Sequence, residues 1–376
     1  MPAAEEPAYK TAVKPLNRKN STNTATYNDR SEVIESSRYV GSNLADMSNP
    51  ITNEYRSYQY DNIGNREKAI DWDDINKDLR VTNYESNSLN QYVQTSDGVE
   101  QNSFVYDADG NLTSVISSTG DIMMYTYNCE NRLIAAGPEN PNEGDLKGEY
   151  LYDYMRRRVR KKVYEYKGLE WKLKETRLFL WDGWNMIEEV VQVVAEEEYS
   201  KYYVWGLDLS QSLDGAGGVG GLIACGDVGD GEVYVYFYDG NGNVGQVVDR
   251  LGNIKFSYNY NPYHGTTDSY IGYTANNAFQ FSSKYFDKET MLKYFGYRYF
   301  IPYIERWINK DPINELGSII IRNESIKHVV EFTLYSFVKN NPINDFDLLG
   351  LLIVRPIFND MKKAFPALPV KDFYLL

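Results

Sequence analysis

The chain has 376 residues and a formal net charge of −14, so it can bury a large core but carries no basic footprint for neutralising nucleic-acid phosphates. Two cysteines (Cys129, Cys225) and two histidines (His264, His328) exclude a disulfide framework, a zinc ligand set and a multi-histidine metal site, and no cofactor is expected. The first residues are polar and lack an apolar signal core, and no run of about 18 apolar residues occurs, so no membrane span is expected.

In chain order, residues 1–54 are rich in Ser, Asn and Thr with little alternation, and are read as a poorly ordered or partial-repeat segment. From residue 55 a pattern recurs: aromatic, any residue, Tyr, Asp, two residues, Gly-Asn. It appears as YQYDNIGNR from Tyr58, FVYDADGNL from Phe104 and YFYDGNGNV from Tyr236, with looser copies YTYNCENRL from Tyr125 and YLYDYMRRR from Tyr150. Alternating aromatics place one face of a strand inward, and the Asp and Gly-Asn turn the chain into a second strand. The repeat tyrosines Tyr60, Tyr84, Tyr106, Tyr127 and Tyr152 are 24, 22, 21 and 25 residues apart, and Tyr238 to Tyr260 is again 22. That period predicts an all-β architecture of tandem hairpins over 55–265, in which no hairpin buries its aromatic face alone, so each stacks on the next and the sheet curls. The abundance of tyrosine, 34 residues, suits strands that are apolar at the ring and wet at the hydroxyl. Helix signals are few: NEYRSYQ and DMKKAF are expected to contribute a turn or two at most.

Two local runs invite other readings. Gly215–Gly220 fits G-x-G-x-x-G, but LIACGDVGDGEVYVYF follows where a phosphate-binding helix is required, so the run is read as a loop. The basic run Arg156–Lys162 sits where a repeat hairpin turns and is read as a solvated strand pair in an acidic protein.

The repeats, followed by FSSKYFDKETMLKYFGYRYFIPYIERWINKDPI (Phe281–Ile313) and TLYSFVKNNPINDFDLLGL (Thr333–Leu351), resemble the RHS/YD-repeat family and its repeat-associated core. The segment YVWGLDLSQSLDGAGGVGGLIA (Tyr203–Ala224) is also similar to one common in bacterial members. The resemblance implies a curved or spiral sheet forming part of a hollow shell (55–265), closed by an associated core (266–351) and followed by a short variable tail (352–376). Because complete members are usually much longer, it also implies the C-terminal part of a larger array or an orphan copy.

Family members that release a C-terminal domain cut themselves after a Leu in N-P-x-x-x-x-D-P-x-G-L. Here Asn341, Pro342, Asp347, Gly350 and Leu351 match, placing the cleavage junction at Gly350, Leu351 and Leu352. Asp311 corresponds to the family's first core Asp and Arg306 to a basic residue just upstream, so the implied catalytic set is Asp311, Asp347 and Arg306. Two carboxylates held close share a proton, one activating water while the other protonates the peptide being cut. The alternative is turn chemistry, with both Asp side chains bonding backbone amides at strand ends. The sequence departs from the family at Leu348 (Pro expected), at Met291 and Glu305 (Gly) and at Ile301 (Asp), and Asn314 lies near another usual Gly. A lost Gly at a turn of positive φ costs about 1 kcal/mol.

The resulting expectation is a delivery scaffold whose partners are its own C-terminal cargo and a secretion-system or cell-surface component, the chain being secreted or displayed at the surface after a cytoplasmic stage. The 25-residue tail is too short to fold as an enzyme, which makes the chain carrier rather than toxin. A Tyr-rich sheet binding carbohydrate or protein at a cell surface, and a degenerate remnant, stand as alternatives.

Overall fold

The computed structural model describes residues 21–41, 43, 45–73, 78–263, 277–312 and 333–354. Nineteen strands, from β1 (Ser21–Tyr27) to β19 (Ile254–Ser257), form one antiparallel sheet in which every strand pairs with the next in sequence. The repeat hairpins therefore stack in chain order, as their period predicts. The array starts earlier than the clear repeats, because β1 and β2 (Val33–Val40) form a further hairpin within the first 54 residues. Around NEYRSYQ only a single 3-10 turn forms, Thr52–Glu54, before β3 (Arg56–Tyr60) begins. The sheet is not a barrel: β1 and β19 each pair on one side only among the described residues. It curves until its two ends face each other across a cleft of about 300 Å³ lined by Asn23–Ala25, Arg38, Asn241 and Tyr260.

One turn design repeats along one end of the sheet. An Asp or Asn accepts the backbone N–H two and four residues later through its Oδ1, as at Asn28, Asp61, Asn87, Asn128 and Asp239. The residue between those donors lies in the left-handed region: Ser31 (φ 64°), Gly64 (89°), Asn90 (62°), Asn131 (58°) and Gly242 (72°), and likewise Gly110 (87°) and Arg156 (68°) in the turns led by Asp107 and Asp153. The Gly or Asn of the repeat thus answers a backbone requirement. Arg156 meets the same requirement with a Cβ, so Arg156→Gly is expected to raise unfolding free energy by about 0.5–1 kcal/mol in urea titrations.

The repeat tyrosine has a defined task. Pairing slips by one residue just before Tyr60, Tyr106, Tyr152 and Tyr238, a bulge beside each turn. The first carbonyl of the returning strand then accepts from the next hairpin: Tyr60 Oη donates to Val33 O (3.0 Å), Tyr127 to Leu112 O (2.9 Å) and Tyr260 to Val244 O (2.8 Å), and Trp181 Nε1 to Arg158 O (2.8 Å). A ring that fills the inner face while its hydroxyl or indole N–H bonds a bulge carbonyl accounts for Tyr over Phe at this position.

The amides at the bulges dock the core block. Leu112 N–H bonds Ile308 O (2.8 Å), Val244 N–H bonds Gln280 O (3.1 Å) and Arg158 N–H bonds Tyr294 Oη (2.9 Å). That block is a four-stranded sheet, β20 (Tyr285–Asp287), β21 (Leu292–Tyr294), β22 (Tyr299–Ile301) and β23 (Arg306–Trp307), plus a small hairpin of β24 (Phe346–Leu348) and β25 (Leu352–Val354). Tyr92, Phe104, Tyr125, Tyr150, Phe179, Tyr203 and Tyr236 of the large sheet form one buried cluster with Phe279, Tyr285, Tyr294 and Tyr299.

The aromatic inner face of the large sheet packs on the core block, so the tyrosines of this cluster are buried. One expectation is corrected here: the basic run is not a solvated strand pair. In β12 (Arg158–Lys167) the side chains of Arg158 and Lys161 point inward, where Asp287 holds both, at 2.5 and 2.9 Å, and Glu289 takes Lys161 at 3.0 Å. The bulge beside the turn sets the phase that puts these two cations on the apolar face.

Candidate junction site

The hairpin β24–β25 carries the residues expected to form the junction. Leu348 pairs with Leu352, and the tip between them carries Leu349 (φ 62°) and Gly350 (φ 75°) in the left-handed region. A Cβ on Gly350 would lie 3.1 Å from the Arg298 backbone nitrogen, so the close approach requires glycine, whereas Leu349 holds its conformation under strain. The tip is tied to the core block: Tyr297 N–H bonds Leu349 O at 2.9 Å and Arg298 Nε bonds Gly350 O at 2.5 Å.

Asp311 and Asp347 are brought together. A single guanidinium, that of Arg298, holds both, with Nη2 at 2.9 Å from Asp311 Oδ2 and 3.2 Å from Asp347 Oδ2. Asp347 is buried and accepts the Leu351 N–H at 2.8 Å through Oδ1; the Asp311 side chain is 22% exposed. Burial, with a contribution from the Asp311 charge, pushes the Asp347 carboxyl up to about 6 against the opposing pull of Arg298, the Leu351 amide and Lys284. Arg298 is itself lowered by burial, against Asp347 and Asp311, and lies 4.2 Å from the centre of the Trp307 ring.

Arg306 sits elsewhere. Its guanidinium bonds Asn65 Oδ1 and Thr333 Oγ1, each at 2.8 Å, and stacks over Tyr92, joining the core block to the repeat turns. Sequence reasoning missed Arg298, which lies between β21 and β22 and 49 residues before Asp347, and Lys284, a buried ammonium whose charge acts on Asp347. The only sequence signal was the Arg within the run Tyr297-Arg298-Tyr299. Met291 (φ 58°) and Glu305 (φ 56°) are left-handed at the positions where the resemblance led to an expectation of Gly, and Glu305 is further engaged by Arg66. Ile301 is buried in the core cluster; Asn314, His264 and His328 lie outside the described residues. The glycine-rich run is a loop between β15 (Tyr199–Trp205) and β16 (Leu222–Asp227), as its context indicated. No group of metal-ligating side chains occurs among the described residues, and no helix is long and apolar enough to cross a membrane.

Comparison with known proteins adds sequence relatives. No family model matches the chain. Over 280 residues (73% of this chain, 19% of the other) it is 23% identical to double-stranded DNA deaminase toxin A of Burkholderia cenocepacia. Its relatives include toxin proteins. Toxin subunit YenC1 of Yersinia entomophaga is 24% identical over 322 residues (81% and 30%), and the tRNA3(Ser)-specific nuclease WapA of Bacillus spizizenii is 24% identical over 292 (77% and 10%). The chain spans less than a third of the length of each of these relatives. Among solved structures, TcdB2-TccC3 superimposes with a TM-score of 0.46 at 16% identity, over 89% of this chain and 19% of that one.

Proposed function

We propose that the chain is a toxin-associated RHS-type scaffold that holds the polypeptide following Leu351 and releases it by cutting its own backbone there. The observation that carries the reading is the pair Asp311–Asp347 on one guanidinium, with the buried member bonded to the junction backbone. In the proposed reaction the more open Asp311 takes a proton from water as the water oxygen attacks the Leu351 carbonyl carbon. Asp347, whose raised pKa retains a proton to about pH 6, gives that proton to the Leu352 nitrogen as the C–N bond breaks. The products are a carboxylate at Leu351 and a free amine at Leu352. Arg298 takes the basic role first given to Arg306, since it contacts both carboxylates and the Gly350 carbonyl. The strained Leu349 and the tie to Tyr297 hold the tip in one conformation.

Supporting the scaffold half of the reading are the continuous repeat sheet, the core block docked along its turns and the similarity to toxin proteins. The intact mass of the purified protein beside Asp347→Asn tests the chemistry. Loss of residues 352–376 from the wild type alone is expected. Loss of 351–376 instead moves the cut to the Gly350–Leu351 peptide, and a full-length mass in both proteins ends the protease assignment.

A further inference from the structure

The glycine-rich loop has no part in the reaction just described, yet it is the most heavily built connection in the sheet. Most other turns at this end need five residues, and the one at Gly183–Trp184 only two; this one runs from Gly206 to Gly221 and is held by a buried carboxylate. Asp208 accepts the amides of Ala216 (2.6 Å) and Gly218 (3.2 Å) through Oδ2, and the Ser210 amide and hydroxyl through Oδ1. Gly217 (φ 63°) and Gly218 (φ 76°) carry the chain through left-handed conformations directly over the junction hairpin. A Cβ on Gly217 would meet the Leu348 side chain at 3.1 Å and that of Leu349 at 3.3 Å, while Ala216, Val219 and Leu209 pack on Phe346. The loop is thus moulded to the residues on both sides of Asp347.

It also touches the junction's second cation. Lys284 is buried in the core block, and its Nζ donates to Gly217 O at 2.8 Å. Burial lowers this ammonium to about 8, and the opposing charges acting on it are Asp347 and Asp208. The neighbouring Ser283 bonds the Gly220 amide at 2.9 Å, so two consecutive core-block residues are registered on the loop.

We propose that the loop Asp208–Gly221 is a positioning element of the junction: it seats Phe346–Leu349 and, through the Gly217 carbonyl, fixes the Lys284 ammonium where it acts on Asp347. The proposal rests on the self-release reading for its use but not for its geometry. The loop carbonyl is the ammonium's hydrogen-bond acceptor, and a side chain at Gly217 would strain a left-handed residue and press on Leu348 and Leu349. The groups facing Asp347 are then Arg298, Asp311 and Lys284, and the loop sets the last of these.

The test uses the full chain with Gly217→Ala, Lys284→Met and, as a control, Gly226→Ala, where an added Cβ meets nothing within 4 Å. Lys284→Met keeps length and volume and removes a buried charge, so folding survives. Release is followed by intact mass from pH 5 to 8, and the Asp347 carboxyl is titrated by carbon NMR in an Asp311→Asn background. Gly217→Ala is expected to slow release at least ~10-fold through misplacement of the hairpin, with Gly226→Ala at the wild-type rate. Lys284→Met is expected to raise the Asp347 midpoint by about half a unit or more, and to move the release profile with it. Wild-type rates in both variants with an unchanged midpoint overturn the proposal. If the wild type releases nothing, the self-release reading fails by itself; a midpoint raised by Lys284→Met then still upholds the placement of the ammonium, and an unmoved one overturns it.

Discussion

Asp287→Ala is expected to destabilise the protein by about 3–5 kcal/mol, read as a fall in urea midpoint at constant slope. Asp287 is fully buried and is the anion between two sheet cations, Arg158 Nη1 at 2.5 Å and Lys161 Nζ at 2.9 Å. Arg158 is equally buried, ringed by Tyr150, Phe179, Tyr285 and Tyr294 at 4.5–5.2 Å, and its remaining protein contact from Nη1 is the Tyr299 hydroxyl. The ring faces attract a cation but cannot replace a carboxylate. Removing Asp287 therefore strands a guanidinium in an apolar cage, whereas Lys161 keeps Glu289 at 3.0 Å. The cost belongs to the unpaired charge rather than to the pair, so Asp287→Leu combined with Arg158→Met should recover much of the loss. A single variant that loses under ~1 kcal/mol would remove this ion pair from the account of how the core block is held.

The sequence carried the hairpin array in full view because its turn chemistry is local. Asp or Asn at the first position and a left-handed residue three later are both backbone requirements, and neither depends on a distant partner. The same logic was legible at Tyr27-Asn28 inside the segment read as loosely ordered, where Ser31 stands in for Gly and hides the signature. What was not legible depends on phase and on contact across long sequence distances. A bulge beside each turn shifts the alternation by one residue, so a run such as Arg156–Lys162 looks solvated when two of its members face the core. The two candidate carboxylates could be matched by motif, but their shared cation could not: Arg298 meets Asp347 only because β22 and β24 are folded onto the same end of the block. The packed inner face has the same origin, since no local pattern states whether an aromatic strand face lines a chamber or meets a second sheet.

The other large effect is a pH dependence confined to Asp347. Its folded value, about 6, lies above the ordinary 3.8 because it is buried. A carboxyl raised in this way stabilises the fold while protonated. Below about pH 3.8 both states hold the proton and the contribution is complete. As pH rises from there through 6 the unfolded chain gives up its proton first, and stability falls. A shift of about two units corresponds to ~3 kcal/mol at most, lost by pH 7. Glu189 acts with the opposite sign: burial favours its neutral form, but Arg177 and the hydroxyls of Tyr285 and Tyr203 outweigh that and hold it down to about 2, so its contribution disappears only as pH falls below the ordinary glutamate range. The two windows overlap only between the ordinary carboxylate values, 3.8 and 4.5. Urea unfolding of wild type and Asp347→Asn at intervals from pH 4 to 7.5 isolates the first, since every other group is common to both. The wild type should lose stability relative to the variant by ~2–3 kcal/mol across that span, most of it between pH 4 and 6. A constant difference would mean that Asp347 is ionised in the fold throughout, held by Arg298 and the Leu351 amide as an ordinary hairpin cap, and the proton the cleavage step requires would have no donor there.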